Sequence, residues 1–106
     1  MTEYTEKQLA RGRRELGRAW AWRKVNPEAY AFGERLALNL AAAGLPVSGR
    51  AVVEAIRRKS FIDREGNDCR INNNITPIMT RWLATEHPEI ADRIEQRATV
   101  FDLLMA

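Results

Sequence analysis

Residues 36–60 read LALNLAAAGLPVSGRAVVEAIRRKS, and the fold turns on them. An alanine-rich segment runs to Gly44, a short connection carries Pro46 and Val47, and Ser48 opens a second apolar periodicity. Glycine tolerates the left-handed backbone that closes a helix, and a proline just beyond it blocks continuation. Serine accepts a hydrogen bond from the free N–H groups of a first turn, so Ser48 is expected to cap the next helix. There Val52, Val53 and Ile56 face inward, while Arg50, Glu54, Arg57 and Arg58 face outward. Small residues let two helices cross closely, and Val47 is placed to plug the corner between them. This is the layout of a helix-turn-helix. The connection from Gly44 to Gly49 is six residues long, against the usual three or four.

Upstream, Asn26-Pro27-Glu28 reads as N-cap, first helical residue and first-turn acid. Ala29, Phe32, Leu36, Leu40 and Ala43 then recur at helical spacing up to Gly44. Before that, Thr5-Glu6-Lys7-Gln8 has the spacing of a capping box and starts an arginine-rich helix to about Lys24. Its apolar positions (Leu9, Leu16, Trp20) are sparse, and Gly12 and Gly17 each weaken it by about 1 kcal/mol relative to alanine. Trp20 and Trp22 lie two positions apart and cannot share a face, so one belongs to the core and the other to a neighbouring element or solvent.

Downstream, Phe61-Ile62 and Cys69-Arg70-Ile71 flank a polar tip around Gly66-Asn67, which predicts a β-hairpin over 61–71. Thr76-Pro77 starts a fourth helix burying Ile78, Met79, Trp82 and Leu83. His87-Pro88-Glu89 starts a fifth, with Ile90, Ile94, Ala98 and Phe101 on one face. The fold class is therefore mostly α, about five helices with one small β-hairpin in the order of a winged helix-turn-helix. A basic N-terminal helix (1–25) is expected to precede a helical core domain (26–106).

Charge is unevenly distributed although the net is only +3. Residues 7–24 hold Lys7, Arg11, Arg13, Arg14, Arg18, Arg23 and Lys24 against Glu15 alone. Residues 84–106 hold Glu86, Glu89, Asp92, Glu95 and Asp102 against Arg93 and Arg97. A basic first half suits a polyanion, although a run of charge also serves simply as a solvated helix face. With Cys69 as the single cysteine, no disulfide can form within the chain, which suits a reducing cytoplasm. No apolar run approaches a membrane span, so no membrane partner is expected. One His and one Cys, with no HExxH, CxxC, GxGxxG or P-loop, give no basis for a metal, a cofactor or a catalytic residue. The chain is expected not to be an enzyme.

What remains is nucleic-acid recognition. Arginine reads guanine bidentately, and clustered cations bind phosphates by releasing counterions. The candidate contacts are Arg50 at the start of the second helix-turn-helix helix, Arg57, Arg58 and Lys59 at its end, Arg64 and Arg70 on the hairpin, and Arg11 and Arg14 on the N-terminal helix. The partner would be double-stranded DNA, bound by a homodimer that supplies the second half-site. The run Asn72-Asn73-Asn74 suits backbone capping between hairpin and helix, and reads adenine only if its loop lies beside residues 49–59.

The order Trp20/Trp22, Asn26-Pro27, Gly44, Ile56-Arg57-Arg58, Ile71-Asn72-Asn73-Asn74, Arg81, Pro88-Glu89 and Arg97 resembles a group of small phage and prophage proteins of the actinobacteriophage type. The resemblance runs from about Trp20 to Arg97. Met79-Thr80-Arg81 stands where members often carry aromatic-Ala-Arg, and Ile94 where they carry Phe. The resemblance implies a viral protein in the host cytoplasm and carries no active site with it. It also implies a second role, an interaction protein that binds a host protein.

Overall fold

The computed structural model describes residues 3–106, so the first two positions of the expected 1–25 segment lie outside it. Helix α1 (Glu6–Val25) opens with the capping box: the Thr5 hydroxyl accepts from the Gln8 N–H, and the Gln8 side chain accepts from the Thr5 N–H. Its buried face carries Gly12 and Ala19, with Leu16 and Trp22 packed against the core. Trp20 stays half exposed and rests on Trp82, ring centroids 4.8 Å apart. Asn26 ends α1 and begins α2 (Pro27–Ala42), but its amide donates back to the Trp22 carbonyl and makes no cap on α2.

Helix α2 closes as its sequence predicts. Gly44 adopts φ +76°, its N–H bonds the Ala41 carbonyl, and the Leu45 N–H bonds the Leu40 carbonyl. These two bonds form the Schellman arrangement, which satisfies carbonyls that the helix end leaves free. Ala29, Gly33 and Ala37 form the most buried stripe, flanked by Phe32, Leu36 and Leu40; Ala43 is exposed. Helix α3 (Gly49–Lys59) crosses that stripe, and a Cβ on Gly33 would stand 2.8 Å from Ile56 Cδ1. Only a missing side chain permits this approach.

The long connection is explained by a strand. Val47–Ser48 (β1) pairs in parallel with Ile94–Glu95 (β2), Val47 opposite Ile94. Val47 is fully buried and fills the corner between α2 and α3, as its position predicts. Ser48 caps α3 by accepting from the Ala51 N–H, and the inward set Val52, Val53 and Ile56 is buried. Helix α4 (Thr76–Glu86) buries Ile78, Met79, Trp82 and Leu83 as expected and backs onto α3.

Two expectations need correction. The hairpin is reduced to one antiparallel bridge, Ile62 with Asp68, and forms no named strand. The Asp63 carboxylate accepts from the Glu65 and Asn67 N–H groups and so favours a tight turn over ladder pairing. The tip is tied to the end of α1, the Arg64 N–H bonding the Val25 carbonyl at 2.8 Å, so it does not project as a wing. The fifth helix is likewise not continuous. A 3-10 segment (Pro88–Arg93) leads into β2, and a short α5 (Phe101–Leu104) follows. Pairing with β1 holds Ile94 extended, and the Arg81 guanidinium takes the Arg97 carbonyl at 2.6 Å. Thr99 and Asp102 then cap α5 reciprocally: the Asp102 carboxylate accepts from the Thr99 N–H, and the Thr99 hydroxyl from the Phe101 N–H.

Candidate nucleic-acid interface

Helix α3 offers one free face. Arg50 and Arg58 are exposed, border a shallow depression with Ser48, Ala51 and Glu54, and make no side-chain hydrogen bond or ion pair among the described residues. Lys59 reaches across the Phe32 ring with Nζ 5.9 Å from its centroid. Arg57 is differently employed. Its guanidinium pairs with Glu54, donates to the Ile71 carbonyl at 2.9 Å and to Asn73 Oδ1 at 2.8 Å. It clamps the asparagine loop to α3, using donors that a phosphate contact would need.

The three asparagines therefore divide. Asn72 accepts the Asn74 N–H at 2.8 Å and caps the 3-10 turn Asn73–Ile75; Asn73 receives Arg57; the Asn74 side chain makes no hydrogen bond among the described residues. The loop lies between α3 and α1, because Asn72 and Asn74 share a cavity wall with Arg18 of α1 and with Arg70. Arg11, Arg14 and Arg18 recur at i, i+3 and i+7, a spacing that keeps them on one helix face. Arg11 is paired with Glu15 at 3.2 Å, whereas Arg14 is exposed and without a partner among the described residues. Arg64 stands apart, beside Val25, Pro27 and Glu28 at the α1–α2 corner. The candidate cations thus form an α3 group and an α1–Arg70 group on either side of the asparagine loop, with Arg64 outside both.

The charged centres that sequence reading missed are held by several internal partners. Arg23, counted above with the basic run of α1, forms two hydrogen bonds to Glu86 at 2.7 and 2.8 Å, lies 3.8 Å from the Tyr30 ring centroid, and stands 5.3 and 5.0 Å from the Trp20 and Trp82 rings. The hydrogen bonds to Glu86 raise the guanidinium pKa, and those from Arg23 hold Glu86 below the usual carboxylate range. Burial pushes the Tyr30 phenol up, so its hydroxyl remains a donor to Glu86 at 3.2 Å. Nothing local announces this cluster, since Glu86 is 63 positions from Arg23. Arg81 is buried, bonded to Asp102 and to the Pro77 and Arg97 carbonyls. Hydrogen bonding to Glu34 at 2.8 Å raises the His87 pKa. His87 thus forms an ion pair with Glu34 whenever its imidazole is protonated.

Burial raises the Cys69 thiol pKa, which keeps it in the weakly nucleophilic protonated form. Among the described residues no group of three or more His, Cys, Asp or Glu side chains is placed to hold a metal ion, and no helix is long and apolar enough to cross a membrane. Comparison of the chain with protein-family models, with curated proteins and with solved structures finds no match.

Proposed function

We propose that this chain is a non-catalytic, double-stranded-DNA-binding protein of helix-turn-helix type that docks the free face of α3 against the duplex. The observation that carries the reading is α3 itself: it is seated on α2 and α4 through Val52, Val53 and Ile56, and its outward Arg50 and Arg58 make no side-chain hydrogen bond or ion pair among the described residues. Cations without internal partners keep their full charge for phosphates or guanine edges. The α1 group, Arg14 with Arg18 and Arg70, adds phosphate contacts beyond the asparagine loop. The phage resemblance implies the host cytoplasm, and the helix-turn-helix layout implies a regulator working as a homodimer that supplies the second half-site. Fluorescence anisotropy on a labelled duplex at several salt concentrations tests it. Binding should weaken as salt rises, and R50A/R58A should lower the magnitude of the log–log salt slope by about 2. Salt-independent binding, or none at low salt, refutes the reading.

One observation favours the second role, binding of a host protein. Leu103 on α5 is 60 % exposed, a large apolar side chain on a terminal helix. Retention of a specific partner from nuclease-treated host lysate, lost with L103D, supports that role; loss of every partner on nuclease treatment opposes it.

A further inference from the structure

Between α1 and the asparagine loop lies a cavity of about 120 Å³, walled by Arg18, Trp22, Arg70, Asn72, Asn74 and Ile75. Most of its polar side-chain groups have no partner among the described residues. Arg18 and Arg70 make no side-chain hydrogen bond or ion pair among the described residues, and neither does the Asn74 amide. Asn72 uses Oδ1 on the Asn74 N–H, which leaves its NH₂ free to donate. Glu15, the one carboxylate on the wall, is paired with Arg11. The free groups are thus two cations and two amides beside an indole and a buried isoleucine.

This combination selects a flat ligand that has carbonyl oxygens on its edge and an anion beside it. We infer that the cavity takes the base of one unpaired nucleotide, bonded at its edge by Asn72 and Asn74, with its phosphate held by Arg18 and Arg70. A base inside an intact duplex cannot enter, so the ligand is an unstacked or single-stranded position in DNA. The adjoining depression shares Arg18 and Arg70 with the cavity but adds the carboxylates of Asp63, Glu65 and Asp68, whereas Arg14 continues the cationic face of α1 and offers the strand the more favourable path.

The inference deepens the DNA-binding proposal and shares Arg18 and Arg70 with it, but its base-edge groups, Asn72 and Asn74, lie outside the α3 face, so the two can fail separately. Anisotropy titrations would compare a duplex carrying one unpaired thymidine, the same duplex fully paired, and a short oligothymidylate; calorimetry would measure thymidine monophosphate. The unpaired position should raise duplex affinity about fivefold or more, the lower limit of what stacking one base on an aromatic side chain supplies. N74A should erase that preference while leaving affinity for the paired duplex unchanged. N74D, which keeps the shape and adds a negative charge beside Arg18 and Arg70, should likewise erase the preference, and thermal melts would confirm that both variants are folded. Equal affinity of the wild-type chain for the two duplexes overturns the inference. So does monophosphate binding as tight as the unpaired duplex, which would make a free nucleotide the ligand. If the paired duplex never binds while oligothymidylate binds and N74A weakens it, the α3 reading fails and this one stands.

Discussion

Gly49→Ala tests how firmly α3 is seated. Gly49 is the first residue of α3, and a Cβ there would stand 2.4 Å from Thr80 Cγ2 and 3.0 Å from Thr76 Cγ2. The nearer distance is shorter than real side chains tolerate, so something must move. Thr80 is 3 % exposed on α4, and its hydroxyl donates to the Pro77 carbonyl at 3.0 Å and accepts from Arg81 at 3.2 Å. Rotating its χ1 to withdraw the methyl would break both bonds, and a β-branched side chain in a helix has little rotamer freedom. The remaining relief is separation of α3 from α4. Overpacking of this kind costs about 1–3 kcal/mol, more than the few tenths that alanine returns over glycine near a helix end. With a urea m value of about 1–3 kcal/mol per molar, a loss of about 2 kcal/mol lowers the midpoint by about 1 M. Urea unfolding followed by tryptophan fluorescence reads this directly. Thr80→Ser removes the obstructing methyl and keeps the hydroxyl; it costs about 1 kcal/mol alone but should restore part of the loss in G49A/T80S. A coupling of at least about 0.5 kcal/mol in the double-mutant cycle is expected. Wild-type stability of G49A, or strict additivity with T80S, refutes the reasoning.

Other outcomes follow from the same contacts. Gly17 has nothing within 4 Å of its Cβ direction, so G17A should stabilise by about 0.5–1 kcal/mol in the same urea assay. R57A should lower stability by about 1 kcal/mol because it releases the asparagine loop, whereas R58A, which breaks no hydrogen bond or ion pair among the described residues, should stay within about 0.5 kcal/mol of wild type. Asp102→Asn leaves the buried Arg81 without a counter-ion; Asp102 is half exposed and screened, so the cost is about 1–2 kcal/mol, below that of a fully buried pair. The His87 pKa is raised in the fold, so its contribution is complete below the unfolded value and is lost as pH rises through the folded one. Stability should therefore decline above about pH 6.5, and E34Q should flatten that part of the profile.

Much of this chain is local information. The Thr5–Gln8 capping box, the Gly44 closure of α2, the Ser48 cap and the Val52, Val53, Ile56 face are each set by residues within one turn of the structure they make, so sequence alone determined α1 to α3, and the periodicity of Ile78 to Leu83 determined α4. It also determined where the cations lie along the chain, because charge is a property of residues. Tertiary structure decided how they are employed. Arg57 and Arg58 are adjacent and alike in sequence, yet one clamps a loop and the other is free, since only packing brings Ile71 and Asn73 to α3. The strand pairing of Val47 with Ile94 interrupts what reads as one amphipathic helix, because a parallel bridge 47 residues away has no local signature. Arg23 within its aromatic cage and the cavity over Asn72 and Asn74 arise in the same way. Each joins groups from segments far apart in the chain, and the energy that selects them exists only once α1 lies against the asparagine loop and α4.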